Sequence, residues 1–288
     1  MKKLSILIVL LSSFSFIGNA QNSDILNGVY IKEHVPIRKP VPYYYLREAD
    51  VAWSKVVWRR LDLREKLNHP LYYPTIPTDD RLSLVQLMVN GVKDEGIRVF
   101  DFDEANEFAT PITLEKVLED LGAGKDSMEE EDPVTGEFTW KYTDKEPRPD
   151  QVTRLLMKEE WFFNRQRSKM EVRIIGLCPV RRFVKETSAA GMEDADAELT
   201  LKTLFWAYFP AYRNLFANQE VFNPFNDAER RTFDDIFFKR RFSSYIYRIT
   251  NVYDNRTIQS YKKGEDVLLE AERMKDFLFK FEHDLWEF

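Results

Sequence analysis

Few residues of this sequence have types and spacings suited to catalysis or metal binding. The chain has three histidines, His34, His69 and His283, and one cysteine, Cys178. No histidine stands at zinc-site spacing from another His or Cys. The GxSxG motif of serine hydrolases and the HExxH motif of zinc proteases do not occur. The sequence therefore predicts no metal centre and no cofactor, and Cys178, in an apolar run, is predicted to be a buried inert thiol.

Two segments approach known binding motifs without matching them. Residues 122–127, GAGKDS, end like a phosphate-binding loop, but Asp126 follows the lysine where Ser or Thr is required. The acidic segment that begins at Asp101 has Asn106 and Ile112 where a calcium loop requires Gly and Glu. Carboxylates are abundant, with 48 Asp and Glu residues. A hydrolase that uses paired carboxylates is therefore an alternative function, although no spacing selects a pair.

Large aromatic and arginine side chains stand out instead. Aromatic residues make up 14% of the chain, and Trp, Tyr and Arg most often carry interface energy. Residues 50–69 begin with a good N-cap residue, Asp50, and show the apolar periodicity of a helix. On this predicted helix Trp58 projects from the polar face, whereas Arg60 and Arg64 project from the apolar face. The two arginines need carboxylate partners, either within the fold or on another subunit.

The last predicted helix, from Gly264 to Trp286, offers a second surface. Its apolar residues repeat with the 4-3-4-3-4 spacing of an a/d stripe, namely Val267, Ala271, Met274, Leu278, Phe281 and Leu285. The stripe either packs onto its own domain or docks with a partner helix. Phe238 lies on the polar face of another predicted helix, which Asn226 and Glu229 open with a capping box. The predicted interface residues are Trp58, Arg60, Arg64, Phe238, Met274, Leu278, Phe281 and Leu285.

The other apolar patterns predict an α+β domain in which helices outnumber strands. Helical periodicity begins after Thr78 or Asp79, after Thr113 and after Pro149. Strict alternation predicts three strands, over residues 97–102, 170–178 and 243–249. Residues 204–209, LFWAYF, fit either a buried strand or the start of a helix. We therefore predict a mainly helical single compact domain with a small antiparallel sheet.

The amino terminus has the pattern of a secretory signal peptide over residues 1–20. Lys2 and Lys3 precede an apolar run, and the small residues Gly18 and Ala20 occupy the −3 and −1 positions of a cleavage site. The next residue is Gln21 and not Cys, so no lipid anchor is expected there. The mature protein is therefore expected to be exported, soluble and active outside the cytoplasm.

Composition divides the rest of the chain into three parts. Residues 21–48 are predicted to form an extended arm, because prolines punctuate them. Residues 49–288 are predicted to form the domain, with an exposed acidic insertion at about 122–150. The insertion has an acidic run from Glu129 and the pattern of a small hairpin around residues 138–140. A formal net charge of −6 argues against nonspecific binding of nucleic acid.

Three long segments resemble one protein family. Residues 50–74, DVAWSKVVWRRLDLREKLNHPLYYP, are similar to the hallmark segment of the GldN/PorN family. Residues 158–180 are similar to its central segment, and residues 226–256 to its C-terminal block. These segments occur in the family's order and span most of the mature chain. By this resemblance the chain is identified as a member of the GldN/PorN family.

The resemblance implies a structural role and no catalysis. Family members are periplasmic proteins of the type IX secretion system of the Bacteroidota, which exports cargo and supports gliding motility. They assemble with an outer-membrane lipoprotein, GldK or PorK, into large rings that contain many copies of each protein. They also contact the periplasmic part of the motor protein GldM or PorM. The resemblance thus implies partners but neither a small-molecule substrate nor catalytic residues.

Two further expectations accompany this assignment. Residues 126–128, Asp-Ser-Met, resemble the short O-glycosylation motif of the phylum, which makes Ser127 a possible glycosylation site. A free periplasmic binding protein with a small-molecule ligand is a third functional alternative, and it requires a deep apolar pocket.

Overall fold

The computed structural model describes residues 38–78, 81–103, 106–131, 138–184, 199–226 and 228–285. These residues belong to one unit, which spans residues 37–288. The predicted signal peptide, most of the predicted arm, the stretch 185–198 and Trp286 lie outside the described residues.

The chain forms strands and helices in alternating groups. The strands are β1 (Val51–Asp62), β2 (Val99–Asp101), β3 (Pro111–Ile112), β4 (Gly124–Glu131), β5 (Phe138–Lys145), β6 (Val152–Asn164), β7 (Lys169–Val184), β8 (Leu199–Thr203), β9 (Phe205–Tyr208), β10 (Glu220–Val221), β11 (Arg231–Thr232) and β12 (Tyr245–Ile249). The helices are α1 (His69–Tyr72), α2 (Leu84–Asp94), α3 (Leu114–Asp120), α4 (Phe209–Asn218), α5 (Phe233–Phe238) and α6 (Asp266–Asp284).

An eight-stranded sheet forms the centre of the fold. Its spatial order is β12-β1-β6-β7-β9-β2-β3, and β8 pairs with β7 beyond the end of β9. Neighbouring strands are antiparallel throughout. The prediction of a mainly helical domain with a small sheet is therefore wrong, although the α+β mixture itself is present.

The error arose in two segments that are strands and not helices. Residues 51–62 form β1 and residues 152–164 form β6, and the two strands pair along their length. Both are covered on each face over part of this length, so apolar residues fall on both sides of the strand and imitate a helical period. In β1, for example, the consecutive residues Val57, Trp58 and Arg59 are all buried. β-Branched and aromatic residues in β1 were the signal that favoured a strand.

Most of the remaining elements agree with the sequence patterns. Strands β2, β7 and β12 confirm the predicted alternating segments. Helix α2 is confirmed, but its N-cap is Ser83, which forms a capping box with Gln86. Residues 204–209 contain both alternatives, since β9 leads directly into α4. Helix α5 is capped by Thr232 and Asp235, so the capping box predicted at Asn226 is wrong.

The two faces of the sheet are covered differently. Helices α2, α4 and α5 pack on one face, which we call the helix face, and form the largest apolar cluster with residues such as Leu61, Leu155 and Phe237. The opposite face, which we call the loop face, carries a second cluster around Trp58 and Trp206. Aromatic residues of the loop between β2 and β3 cover that second cluster.

The acidic insertion contains a β-hairpin rather than only a loop. Strands β4 and β5 pair from Gly124 with Lys145 to Glu131 with Phe138. They form a two-stranded sheet separate from the central sheet. This confirms the predicted hairpin and places Ser127 in β4, opposite Tyr142.

Candidate interaction surfaces

Trp58 lies inside the protein and not on a polar helix face. It is 5% exposed and projects from β1 onto the loop face. Its indole Nε1 donates a hydrogen bond to Oε1 of Glu107 at 2.7 Å. Glu107 also accepts hydrogen bonds from Lys158 and Arg248. Trp58 is therefore covered within the chain by the segment that carries Glu107, and it does not lie on the polar helix face from which its interface role was predicted.

A second buried carboxylate occupies the helix face. Glu159, in β6, is fully buried, and Trp161 donates a hydrogen bond from Nε1 to its Oε1 at 2.8 Å. Arg59 and Arg240 form ion pairs with the same carboxylate. Burial acts to raise the pKa of Glu159, but the charges of Arg240 and Arg59 outweigh it, so the pKa is lowered. The cluster therefore holds an ionised glutamate within the fold.

Arg64 has a carboxylate partner within the fold, as one of the two alternatives predicted, whereas Arg60 does not pair with a described carboxylate. Arg64 forms two hydrogen bonds with Asp62, at 3.0 and 2.8 Å, on the surface. Arg60 donates a hydrogen bond to the Tyr245 hydroxyl at 3.2 Å. Its guanidinium lies 5.3 Å from the centroid of the Tyr247 ring. Among the described carboxylates none pairs with Arg60, which keeps open the alternative that an acid on another subunit meets it.

Helix α6 packs its predicted stripe onto its own domain. Val267, Ala271 and Leu278 are buried, Met274 contacts the clusters beneath the helix, and Phe281 stacks on Trp53 with ring centroids 4.4 Å apart. Leu285 follows the helix as its C-cap residue and is partly buried. The stripe was predicted either to pack onto its own domain or to dock with a partner helix, and in the structure it packs onto its own domain.

The outward side of α6 carries exposed apolar residues instead. Leu268, Leu269, Phe277 and Phe279 are 50–65% exposed. Phe279 and Leu67 border a cleft of about 690 Å³ between α6 and the sheet. Phe238 is 56% exposed, and its outward position on α5 agrees with the prediction. Exposed apolar groups of this size are typical of surfaces that another protein covers.

The described part of the arm packs along a second cleft of about 600 Å³. Arg213 pairs with Asp234 at 3.0 Å and donates a hydrogen bond to the carbonyl of Val41 at 2.7 Å. Tyr44 lies under the guanidinium of Arg167, 3.9 Å from the ring centroid. Arginine side chains therefore attach the arm to the domain by a hydrogen bond to its backbone and by cation–π contact with its tyrosine.

The same cleft contains two carboxylates, which a hydrolase of the paired-carboxylate type would require. It is lined by Glu171 and Asp234. Burial raises the pKa of Glu171, which Arg167 and Lys169 flank at 3.6 and 4.0 Å. Asp234 is held by Arg213. The raised pKa that a general acid requires thus occurs at Glu171, but the other carboxylate of this cleft is committed to an arginine.

Three further observations concern metals, thiols and membranes. Over the described ranges, no group of three or more His, Cys, Asp or Glu residues is arranged to hold a metal ion. Cys178 is fully buried, as predicted, and burial raises the pKa of its thiol. None of the helices in the described part of the chain combines the length and apolar character needed to cross a bilayer.

The fold and its surfaces define an α+β protein with an eight-stranded antiparallel sheet and exposed apolar groups on its outer helices. The family model for the gliding motility associated protein GldN matches residues 46–287, and the chain belongs to this family. A comparison with curated proteins found no match. Membership makes the protein a component of the gliding motility and type IX secretion machinery.

Proposed function

We propose that this protein is a non-enzymatic structural subunit of the type IX secretion ring. In this role it lies in the periplasm, at the inner face of the outer membrane, and is held there by a lipoprotein of the GldK/PorK type. Copies of the chain sit side by side in the ring. The periplasmic part of a GldM/PorM-type motor protein contacts the ring and supports secretion and gliding.

The family match over residues 46–287 carries this proposal, because it spans the whole described domain. Two features of the structure and one of the sequence support it. Two buried carboxylates are neutralised by cations within the chain. Large apolar residues of α6 remain exposed. The signal-peptide pattern at residues 1–20 is compatible with export.

The test is the size and composition of the native complex. The chain with a C-terminal affinity tag is extracted from envelopes of the source organism and purified in mild detergent. The proposal predicts ring-shaped particles, many times the mass of one chain, that contain a GldK-like lipoprotein. A tagged species of single-chain mass, free of envelope proteins, would overturn it.

The exposed side of α6 provides a matched pair of variants for the same assay. Leu268→Glu with Phe279→Glu adds charge to the exposed apolar side, where the side chains are 55% and 65% exposed. Arg273→Glu changes a charge on a different side of the same helix, at a side chain that is 74% exposed. The first variant is expected to lose ring particles while it remains folded, and the second is expected to keep them. Loss in both, or in neither, would remove this surface from the assembly.

A further inference from the structure

A diagonal row of three arginines crosses the loop face of the central sheet. Arg60 in β1 lies opposite Leu156 in β6, and Arg154 is two residues before Leu156 on the same strand. Arg154 lies opposite Val180 in β7, and Arg182 is two residues beyond Val180. Leu156 and Val180 belong to the loop-face cluster, so alternation along the strands places all three arginines on that face.

The arginine row (Arg60, Arg154 and Arg182) has little compensation within the described chain. None of the three forms an ion pair with a described carboxylate. Asp62 lies opposite Arg154 and interacts with its charge, but both carboxylate oxygens bond to Arg64. All three side chains are partly exposed. Three neighbouring cations repel one another, so the row is suited to an anionic partner.

The acidic β4–β5 hairpin is the chain's own anionic segment of matching size. Strand β4 ends in Glu129, Glu130 and Glu131. Alternate residues of a strand are about 6.8 Å apart, and diagonal neighbours in a sheet are about 7–8 Å apart. The spacing of the alternate positions 129 and 131 therefore agrees with one step of the arginine row. The hairpin pairs with no strand of the central sheet, and an isolated hairpin of two strands is marginally stable in water. A partner that covers it would therefore stabilise it.

The base of the hairpin is attached to the side of the sheet away from the row. Asp120, just before the hairpin, accepts a hydrogen bond on its carbonyl from Arg181 at 3.0 Å and forms an ion pair with Lys202 at 2.6 Å. Arg181 lies next to Arg182 in β7 and therefore points to the opposite face. This favours contact with a neighbouring copy over contact with the same chain.

We propose that the acidic hairpin of one copy docks on the arginine row of the next copy. The contact joins two different patches, so it is heterologous, and repeated contacts of this kind generate a ring if the rotation closes. The inference rests on the proposed ring function and names the surfaces through which copies meet.

Cysteine cross-linking tests the contact, because the native Cys178 is fully buried. Two differently tagged copies, one Arg154→Cys and one Glu129→Cys, are co-expressed in the source organism and oxidised in intact envelopes. The expected result is a disulfide-linked dimer that carries both tags. The control pairs Glu129→Cys with Arg273→Cys, a side chain 74% exposed on α6, and should give no dimer.

The outcomes separate this inference from the proposed function. Ring particles of normal size without the mixed-tag dimer would overturn the hairpin contact and leave the ring function intact. A cross-link within a single chain that carries both cysteines, at the mass of one copy, would likewise overturn it. Absence of any large complex in the unsubstituted protein would overturn the ring function and the contact together.

Charge exchange provides a second readout that does not depend on cysteine chemistry. Arg60→Glu, Arg154→Glu and Arg182→Glu together are expected to reduce the assembled fraction at least about tenfold, because like charges then face each other. Glu129→Lys, Glu130→Lys and Glu131→Lys in the same chain should restore assembly. Circular dichroism confirms folding, and Arg→Gln versions serve if the Glu versions do not fold. Failure of the exchange to restore assembly of a folded chain would contradict the proposal.

Discussion

The two faces of the central sheet each bury one glutamate that accepts hydrogen bonds from two cationic side chains and one indole N–H. On the helix face, Glu159 receives Arg59, Arg240 and the indole N–H of Trp161. On the loop face, Glu107 receives Lys158, Arg248 and the indole N–H of Trp58. The chemistry is alike, but Glu159 belongs to a strand, whereas Glu107 belongs to the loop between β2 and β3.

Because Glu159 belongs to a strand and Glu107 to a loop, the two glutamates have different structural roles. Glu159 neutralises cations beneath a face that apolar helices cover as well. Glu107 brings its own segment onto the sheet, together with Phe108, whose ring packs above Gly176. A Cβ at position 176 would lie 2.5 Å from that ring, so the glycine permits the close approach. The loop face is thus covered by a segment that an ionic contact fastens.

Removal of the strand carboxylate is expected to have the largest effect. Glu159→Gln leaves Arg59 without a charge partner in a site where its side chain is only 9% exposed. We expect the free energy of unfolding to fall by about 3–5 kcal/mol, as for other broken buried pairs. Denaturation with urea measures the change. Glu160→Gln, at the next and partly exposed position, is the control, and an equal loss there would refute the assignment.

The pH dependence of stability tests whether Glu159 is ionised in the folded protein. The folded pKa of Glu159 is lowered, so its contribution is fully present above the unfolded pKa of about 4.3 and is lost as the pH falls through the folded pKa. The stability difference between the unsubstituted protein and Glu159→Gln should therefore be greatest near neutral pH and shrink below about pH 4. A difference that stays constant down to about pH 2 would contradict the lowered pKa.

Removal of the loop carboxylate is expected to cost less and to act locally. Glu107→Gln weakens bonds to two cations, but the Lys158 side chain is 19% exposed and can regain water, and Arg248, which is 6% exposed, has a further interaction. We expect a loss of about 2–3 kcal/mol, with faster amide hydrogen exchange in residues 106–110. Slower or unchanged exchange in that loop, together with a loss of unfolding free energy as large as that of Glu159→Gln, would contradict a local role for Glu107.

The smallest expected effect compares the two tryptophans. Trp161→Phe and Trp58→Phe each remove one N–H donor from a carboxylate that retains two cations. We expect each substitution to cost about 1 kcal/mol. The Trp58 variant should also increase exchange in the loop, whereas the Trp161 variant should not. Increased loop exchange in the Trp161 variant and not in the Trp58 variant would contradict the assignment of Trp58 and Glu107 to the cluster that fastens the loop.

Sequence patterns located some of these parts and missed others for physical reasons. Alternation found β7 and β12, and spacing found the a/d stripe of α6. The same rules misread β1 and β6, because a strand buried on both faces has no polar side to mark its period. The Trp58–Glu107 contact joins residues 49 apart, and no local pattern records such a pair. Arg60 was singled out because it projects from the apolar face of a predicted helix, but this segment is a strand, and the neighbours of Arg60 follow only from the register of three strands.

The position of β1 in the sheet has a consequence for the order of folding. Its two neighbours, β6 and β12, both come later in the chain, and Lys55 bonds to the carbonyl of Thr250, which is 195 residues away. Because β1 pairs with a strand near the other end of the described chain, many contacts join residues that are far apart in sequence. Proteins with a large mean sequence separation between contacting residues fold slowly. The pairing of β1 with β12 therefore forms only after synthesis has passed β12, and until then one edge of β1 has no partner strand.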